Sequence, residues 1–199
     1  MKSIIGTIIV LATFTLPVLA MASTWKIDPD HSNIGFKVRH LMVSNVRGNF
    51  EKHSGTVNID DRDITKSKVE ISIDAASINT NVAKRDAHLR SADFFDVAKY
   101  PTITFVSRKV ARAGADKLRV TGDLTIHGVT REVVLDVDGP TRESKDPWGN
   151  IRRGASASTT INRKDFGLTW NKALETGGVL VGDDITITLE IEMVKEQLK

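Results

Sequence analysis

The densest group of chemically capable side chains lies in "RDAHLRSADFFDVAKYP", residues 85 to 101, which holds one histidine, three aspartates and two arginines. A histidine beside a carboxylate is the minimum for general acid–base catalysis. The spacing argues against that use. The run "NVAKRDAHLR" reads as a helix over 81–90, with Asn81 as its N-cap and Val82 and Leu89 on one face. On it Asp86 and His88, two positions apart, point away from each other, whereas Asp86 and Arg90, four apart, can pair. Asp93 and Asp96 flank Phe94 and Phe95, at least one of which is expected to plug an end of the core. Tyr100 precedes a proline and is held extended, which ends the helical stretch and launches a strand near Thr102. The whole run therefore reads as helix, turn and strand start, a structural unit.

The remaining candidates are scattered. His31 sits in the turn "DPDHSN", His40 follows Val38 on the apolar parity, His53 lies in a polar connection and His127 in a tight turn. With no close-spaced pair such as H-x-H, no metal centre is expected. No G-x-S-x-G, H-E-x-x-H or P-loop pattern is present. The absence of cysteine excludes disulfides, thiolate metal sites, a cysteine nucleophile and a lipidated cysteine. Trp25, Trp148 and Trp170 form no stripe and are each read as packing residues. Arg152 and Arg153 are neighbours on a strand and so face opposite sides, which makes a joint anion site unexpected.

The elements that must position these residues are mostly strands. Apolar residues recur at period two in 34–38, 57–59, 69–73, 103–105, 118–126, 133–137, 155–161 and 185–191, the signature of half-buried β-structure. Roughly eight such strands bounded by Gly, Asn and Asp predict one antiparallel barrel or sandwich. His127-Gly128, between two alternating runs, predicts a two-residue hairpin. The loop 139–150, rich in Pro, Gly and charge, is expected to be the most mobile connection.

Ahead of them stands "MKSIIGTIIVLATFTLPVLAMA", with a basic tip, a short apolar middle and a small-residue end. That is the form of a secretory signal peptide cut after Ala22, with Ala20 as the alternative. Lys2 is its one charged residue, so removal takes the formal charge from +3 to +2 and leaves a single domain, 23–199. Its charges are mixed along the chain with no block of one sign, which gives no nucleic-acid footprint.

Four blocks, "IDPDHSNIGFKVRHLMVSNVRGNFEKHSGTV" (27–57), "AHLRSADFFDVAKYPTITF" (87–105), "VTGDLTIHGVTREVVLDV" (120–137) and "ASTTINRKDFGL" (157–168), stand in the order in which they occur in the YceI-like family, which the chain resembles over almost its whole length. The resemblance implies an all-β fold, an extended eight-stranded antiparallel lipocalin-like barrel with one short helix. It further implies a periplasmic location and a long lumen for a polyisoprenoid or similar long-chain amphiphile, with no other cofactor. An eight-stranded barrel is wide enough for one slender ligand or for its own side chains. The inward set expected to line such a lumen is Ile34, Phe36, Val38, His40, Ile71, Ile73, Ile103, Phe105, Val120, Leu124, Ile126, Val133, Leu135, Ala155, Ala157, Ile187 and Leu189. The small residues Gly122, Ala155 and Ala157 would leave room. Arg39 and His40 are candidates for contact with a polar head group.

The expected function is thus that of an exported lipid carrier without chemistry of its own, in transient contact with a membrane, with pairing of two barrels left open. Two alternatives stand beside it: an enzyme using His88 or His40 with an aspartate on a bound amphiphile, and a stress-related interaction protein whose barrel is filled.

Overall fold

The structure, a computed structural model, describes residues 22–175 and 177–197. The expected leader and its cleavage site lie outside the described residues except for Ala22.

Eight sheet strands close into an antiparallel barrel, several of them broken by a bend. β1 (Ser23–Ile27) and β2 (Asn33–His40) run end to end through a short turn at Pro29–His31, and β3 (Ser44–Phe50) and β4 (His53–Ile59) return alongside them. β5 (Lys68–Asp74) pairs with β4, and the two-residue β6 (Ile78–Asn79) pairs with the end of β3. The only α-helix among the described residues, α1 (Ala83–Arg90), leads to β7 (Thr102–Arg112), β8 (Lys117–Ile126) and β9 (Val129–Asp138), which form a meander beside β5. A short β10 (Ser144–Lys145) sits on β11 (Ile151–Asn162). β11 then pairs with β12 (Val181–Lys195) over eleven residues. β12 closes the ring, because its other edge carries β2 along one half and β1 along the other.

The period-two residues follow this closure. Ile34, Ile71, Ile73, Ile103, Phe105, Val120, Leu124, Ile126, Leu135 and Leu189 are buried in one continuous cluster inside the ring. His127 (φ 52) and Gly128 (φ 73) make the expected two-residue hairpin, the left-handed pair that matches strand twist. Gly128 is required there, since a Cβ would meet Tyr100 Cε1 at 2.5 Å.

Three local expectations are corrected. The helix starts at Ala83 with Val82 in the cap position and no side-chain cap, while Asn81 stands before it in the left-handed region. Val82 is exposed, whereas Leu89 is turned inward. Loop 139–150, expected to be the most mobile connection, is tied down: it contains β10, and Asp146 accepts from the backbone N–H groups of Trp148 and Asn150 at 3.0 and 2.8 Å.

Candidate functional site

The run 85–101 forms a lid. Asp86 does not pair with Arg90. Instead Asp86 is buried and accepts from the Thr80 N–H at 3.0 Å and from the Thr80 hydroxyl. Arg85 donates to Thr80 Oγ1 at 2.8 Å, and Arg90 donates to the carbonyls of Ala76 and Ile78 at 2.6 and 2.7 Å. These charges satisfy backbone groups of the Ala76–Thr80 segment, which has only the two-residue pairing of β6 with β3, and that is why so polar a helix docks. His88 meets Asp93 at 2.8 Å, and its ring stands edge-on to Phe94 and Trp170 at centroid distances of 5.1 and 4.8 Å. Phe94 is buried and Phe95 turns its edge to Phe50, 5.8 Å away. The expected plug is thus Phe94 and Phe95 with Leu89, closing one end of the barrel.

Beneath the lid the lumen is hollow. An upper chamber of about 150 Å³ is bounded by Ile34, Phe36, Val38, Ile71, Ile73, Ile103, Phe105, Leu124, Ile126, Val133, Leu135, Ile187 and Leu189 of the sequence-based set. A lower chamber of about 100 Å³ takes in Val120, Ala155 and Ala157. Ile71, Leu135 and Leu189 belong to both walls, so the chambers abut in series along the barrel axis. The polar residues in the two walls are Thr159 and Arg163 above and Ser67 and Ser156 below; no Asp, Glu or His is among them. Gly122 is small for a different reason from the one expected: a Cβ there would meet Phe105 Cζ at 2.5 Å and the Val106 carbonyl at 2.6 Å, so it seats Phe105 and leaves no free space.

Sequence reasoning missed part of the wall. Phe50, Ile78, Leu89, Phe94, Phe95, Leu168 and Val181 also line the upper chamber. They come from bends and connections, where no alternation marks them. Arg163 was missed as well. It is 3 % exposed and donates to the carbonyls of Gly182 and Trp170 at 2.9 Å, to that of Leu168, to that of Val181 at 3.4 Å, and to Asp183 at 3.0 Å. Burial holds its guanidinium below the ordinary arginine pKa. With its N–H groups committed, it clasps the start of β12 where the register with β2 shifts between Val181 and Ile185.

His40 and Arg39 stand at the rim. His40, two residues after Val38, pairs with Val181 beside the register shift and is half-buried, outside the chamber wall. Arg39 faces outward and donates to the Met42 carbonyl at 2.9 Å.

The other candidates resolve into packing and ion pairs. Asp28, His31 and Glu192 converge, but Arg152 donates to Asp28 and Glu192 at 2.6 Å and to Asp146 at 2.7 Å. Its hydrogen bond holds Asp28 down to about 2. Asp146 also lies below the carboxylate range: burial would raise it, but the hydrogen bonds from Arg152, Asn150 and Trp148 outweigh that. His31 is raised by its bond to Asp28. Trp25 is fully buried under the Arg153 guanidinium, 5.0 Å from the ring centroid. Trp148, expected to pack, is instead 81 % exposed at the tip of its loop.

Residues 25–193 match the YceI-like domain. A UPF0312 protein of Vibrio cholerae is 39 % identical over 170 residues, 84 % of this chain and 89 % of the relative. The crystal structure of a Campylobacter jejuni YceI protein superimposes with a TM-score of 0.68 at 33 % identity, covering 94 % of this chain and all of that one. A Saccharophagus degradans domain described as polyisoprenoid-binding and implicated in plant cell wall breakdown shares the fold, with a TM-score of 0.63 at 16 % identity over 86 % of this chain and 98 % of that one. With a hollow, lidded eight-stranded barrel and matches spanning nearly its whole folded length, the chain belongs to the YceI-like family.

Proposed function

We propose that this protein is an exported carrier that holds the hydrocarbon part of a polyisoprenoid or similar long-chain amphiphile in the barrel lumen and performs no chemistry on it. The observation that carries the reading is the pair of abutting apolar chambers whose walls contain no carboxylate or imidazole. Such walls offer a guest burial and no carboxylate or imidazole for acid–base work, since an acid–base group must lie within hydrogen-bond reach of the atom it serves. His88 is committed to Asp93 on the outer side of the lid, and His40 is outside the wall. Export to the periplasm rests on the leader-like opening of the sequence. The S. degradans domain lends the fold alone; the walls support a hydrocarbon guest, and its polyisoprenoid class is what the likeness to the YceI-like family implies.

The size of the lumen sets the balance of binding. A dry cavity of about 150 Å³ holds one benzene-sized body, so the two chambers in series take a slender chain of roughly ten carbons. At about 0.8 kcal/mol per buried methylene, that is a gross gain of about 8 kcal/mol. A bilayer gives the same carbons nearly the same gain, so transfer between the two is close to balanced, as a carrier requires. A longer tail extends past the rim at Val38 and Val181 or parts the side chains that line the junction.

The test is organic extraction and mass spectrometry of the protein purified from its own host, combined with uptake of an added polyprenol. A stoichiometric apolar guest is expected. Recovery of none, with no uptake, overturns the reading. Turnover of the polyprenol by the purified protein overturns the part that denies it chemistry, and cell fractionation tests the location.

A further inference from the structure

The turn between β2 and β3 is built against the usual needs of an exposed hairpin. Leu41 and Met42 have φ of 51° and 62°, in the left-handed well that favours Gly, Asn and Asp and that bulky residues rarely enter. Leu41, Met42 and Val43 are nevertheless 39, 50 and 74 % exposed. The other large apolar residues exposed among the described residues, Val82, Val106, Val134 and Trp148, are isolated in sequence. Three greasy side chains in a row, two of them on costly backbone, are thus presented to solvent at one point.

That point adjoins the lumen. The Leu41 N–H donates to the Leu180 carbonyl at 2.8 Å, and Val181, next to Leu180, and Val38, three residues before Leu41, lie in the upper chamber wall. The hairpin is also positively charged. From Asn33 to Phe50 it carries Lys37, Arg39 and Arg47 and no carboxylate. Lys37 and Arg47 face each other directly across the strands, an arrangement of like charges that is destabilising until an anion relieves it. None of the three has an ion-pair partner among the described residues. At roughly 3.3 Å per residue, Arg39 sits roughly 7 Å and Lys37 roughly 13 Å behind the tip, within reach of lipid phosphates once the tip enters the acyl boundary.

We propose that the β2–β3 turn is a membrane-docking tip, with Leu41, Met42 and Val43 entering an anionic lipid surface while Arg39, Lys37 and Arg47 meet its phosphates, so that the rim of the upper chamber faces the lipid. The inference rests on the carrier reading. It names where on the molecule the exchange of guest takes place.

The test is flotation of the mature protein with phosphatidylglycerol–phosphatidylethanolamine vesicles and with phosphatidylcholine vesicles, with uptake of a fluorescent polyene fatty acid by the lumen measured on the same samples. Met42→Asn with Val43→Asn keeps the left-handed turn, since Asn is at ease there, and is expected to weaken partition into the anionic vesicles about tenfold or more. Lys37→Gln with Arg47→Gln is expected to remove the preference for anionic over neutral vesicles, whereas Trp148→Ala leaves both unchanged. Absence of vesicle binding by the unmodified protein, or binding by the Asn variant equal to it, overturns docking while normal lumen uptake leaves the carrier reading standing. Failure of uptake with vesicle binding intact overturns the carrier reading instead. A dimer in sedimentation velocity that the Asn variant converts to monomer assigns the tip to a second copy and also overturns the proposal.

Discussion

Ala157 offers the sharpest test of the lumen, because its methyl group lies in the wall of the lower chamber at the centre of β11. Ala157→Leu adds three carbons there. Scaled against a benzene-sized body in about 150 Å³, the lower chamber of about 100 Å³ holds roughly four guest carbons. Denying them to the guest removes about 3 kcal/mol at about 0.8 kcal/mol per methylene, which is a little over a hundredfold in affinity, taking about 1.4 kcal/mol per tenfold. The added side chain fills space that was void, so the fold should lose no more than the ~1–3 kcal/mol typical of overpacking. The assay is calorimetric titration with a series of isoprenoid alcohols of increasing length. For the unmodified protein affinity should climb with each unit until both chambers are filled, and for the variant it should level off one step earlier. Ser158→Leu, the next residue on the same strand but exposed, controls for added hydrophobicity and should follow the unmodified curve. A folded Ala157→Leu protein that binds the longer alcohols as tightly as its parent, with the same length dependence, refutes the placement of the guest in the lower chamber.

Further outcomes follow from the same geometry. Arg163→Met leaves the carbonyls of Gly182, Leu168 and Trp170 without their donor and should cost about 3–5 kcal/mol in urea unfolding; Arg163→Lys should not restore it, because an ammonium lacks the planar five-donor fork. Gly122→Ala places a methyl 2.6 Å from a backbone carbonyl and should lower stability by about 1–3 kcal/mol, read as an earlier urea midpoint with an unchanged slope. Asp28 is depressed from 3.8 to about 2, so its contribution is complete above about pH 4 and is lost as pH falls through about 2. Thermal unfolding against pH should therefore fall over that window, and Arg152→Met, which removes the cause of the depression, should be less stable at neutral pH and flatter on the acid side. Equal acid slopes for the two proteins would sink that account.

The alternation of apolar residues was enough to give strands, antiparallel pairing and the inward row, because side chains on a strand alternate faces whatever surrounds it. Of the residues chosen that way, all but His40 lie in the walls, with Val120, Ala155 and Ala157 in the lower wall alone. Spacing alone also separated Asp86 from His88, and the His127-Gly128 turn needed only its residue types. What alternation could not carry was everything that depends on a bend or a distant partner. Phe50 and Ile78 lie where strands break, Leu89, Phe94, Phe95 and Leu168 lie in connections, and their place in the wall is set by how those segments fold back over the barrel end. His40 kept the inward parity and still lies outside the wall, beside a register shift that belongs to β12 and that no local pattern marks. The destinations of the charges were equally non-local: Arg90 reaches the Ala76 and Ile78 carbonyls, and Arg152 reaches Asp28, 124 residues away. By itself the periodicity of the sequence determined strands with one apolar face turned to a common interior, barrel or sandwich, since local periodicity is a property of neighbouring residues. Only the tertiary structure decided that this interior is hollow in two chambers, because a void is the difference between the space that a ring of strands encloses and the volume its side chains fill.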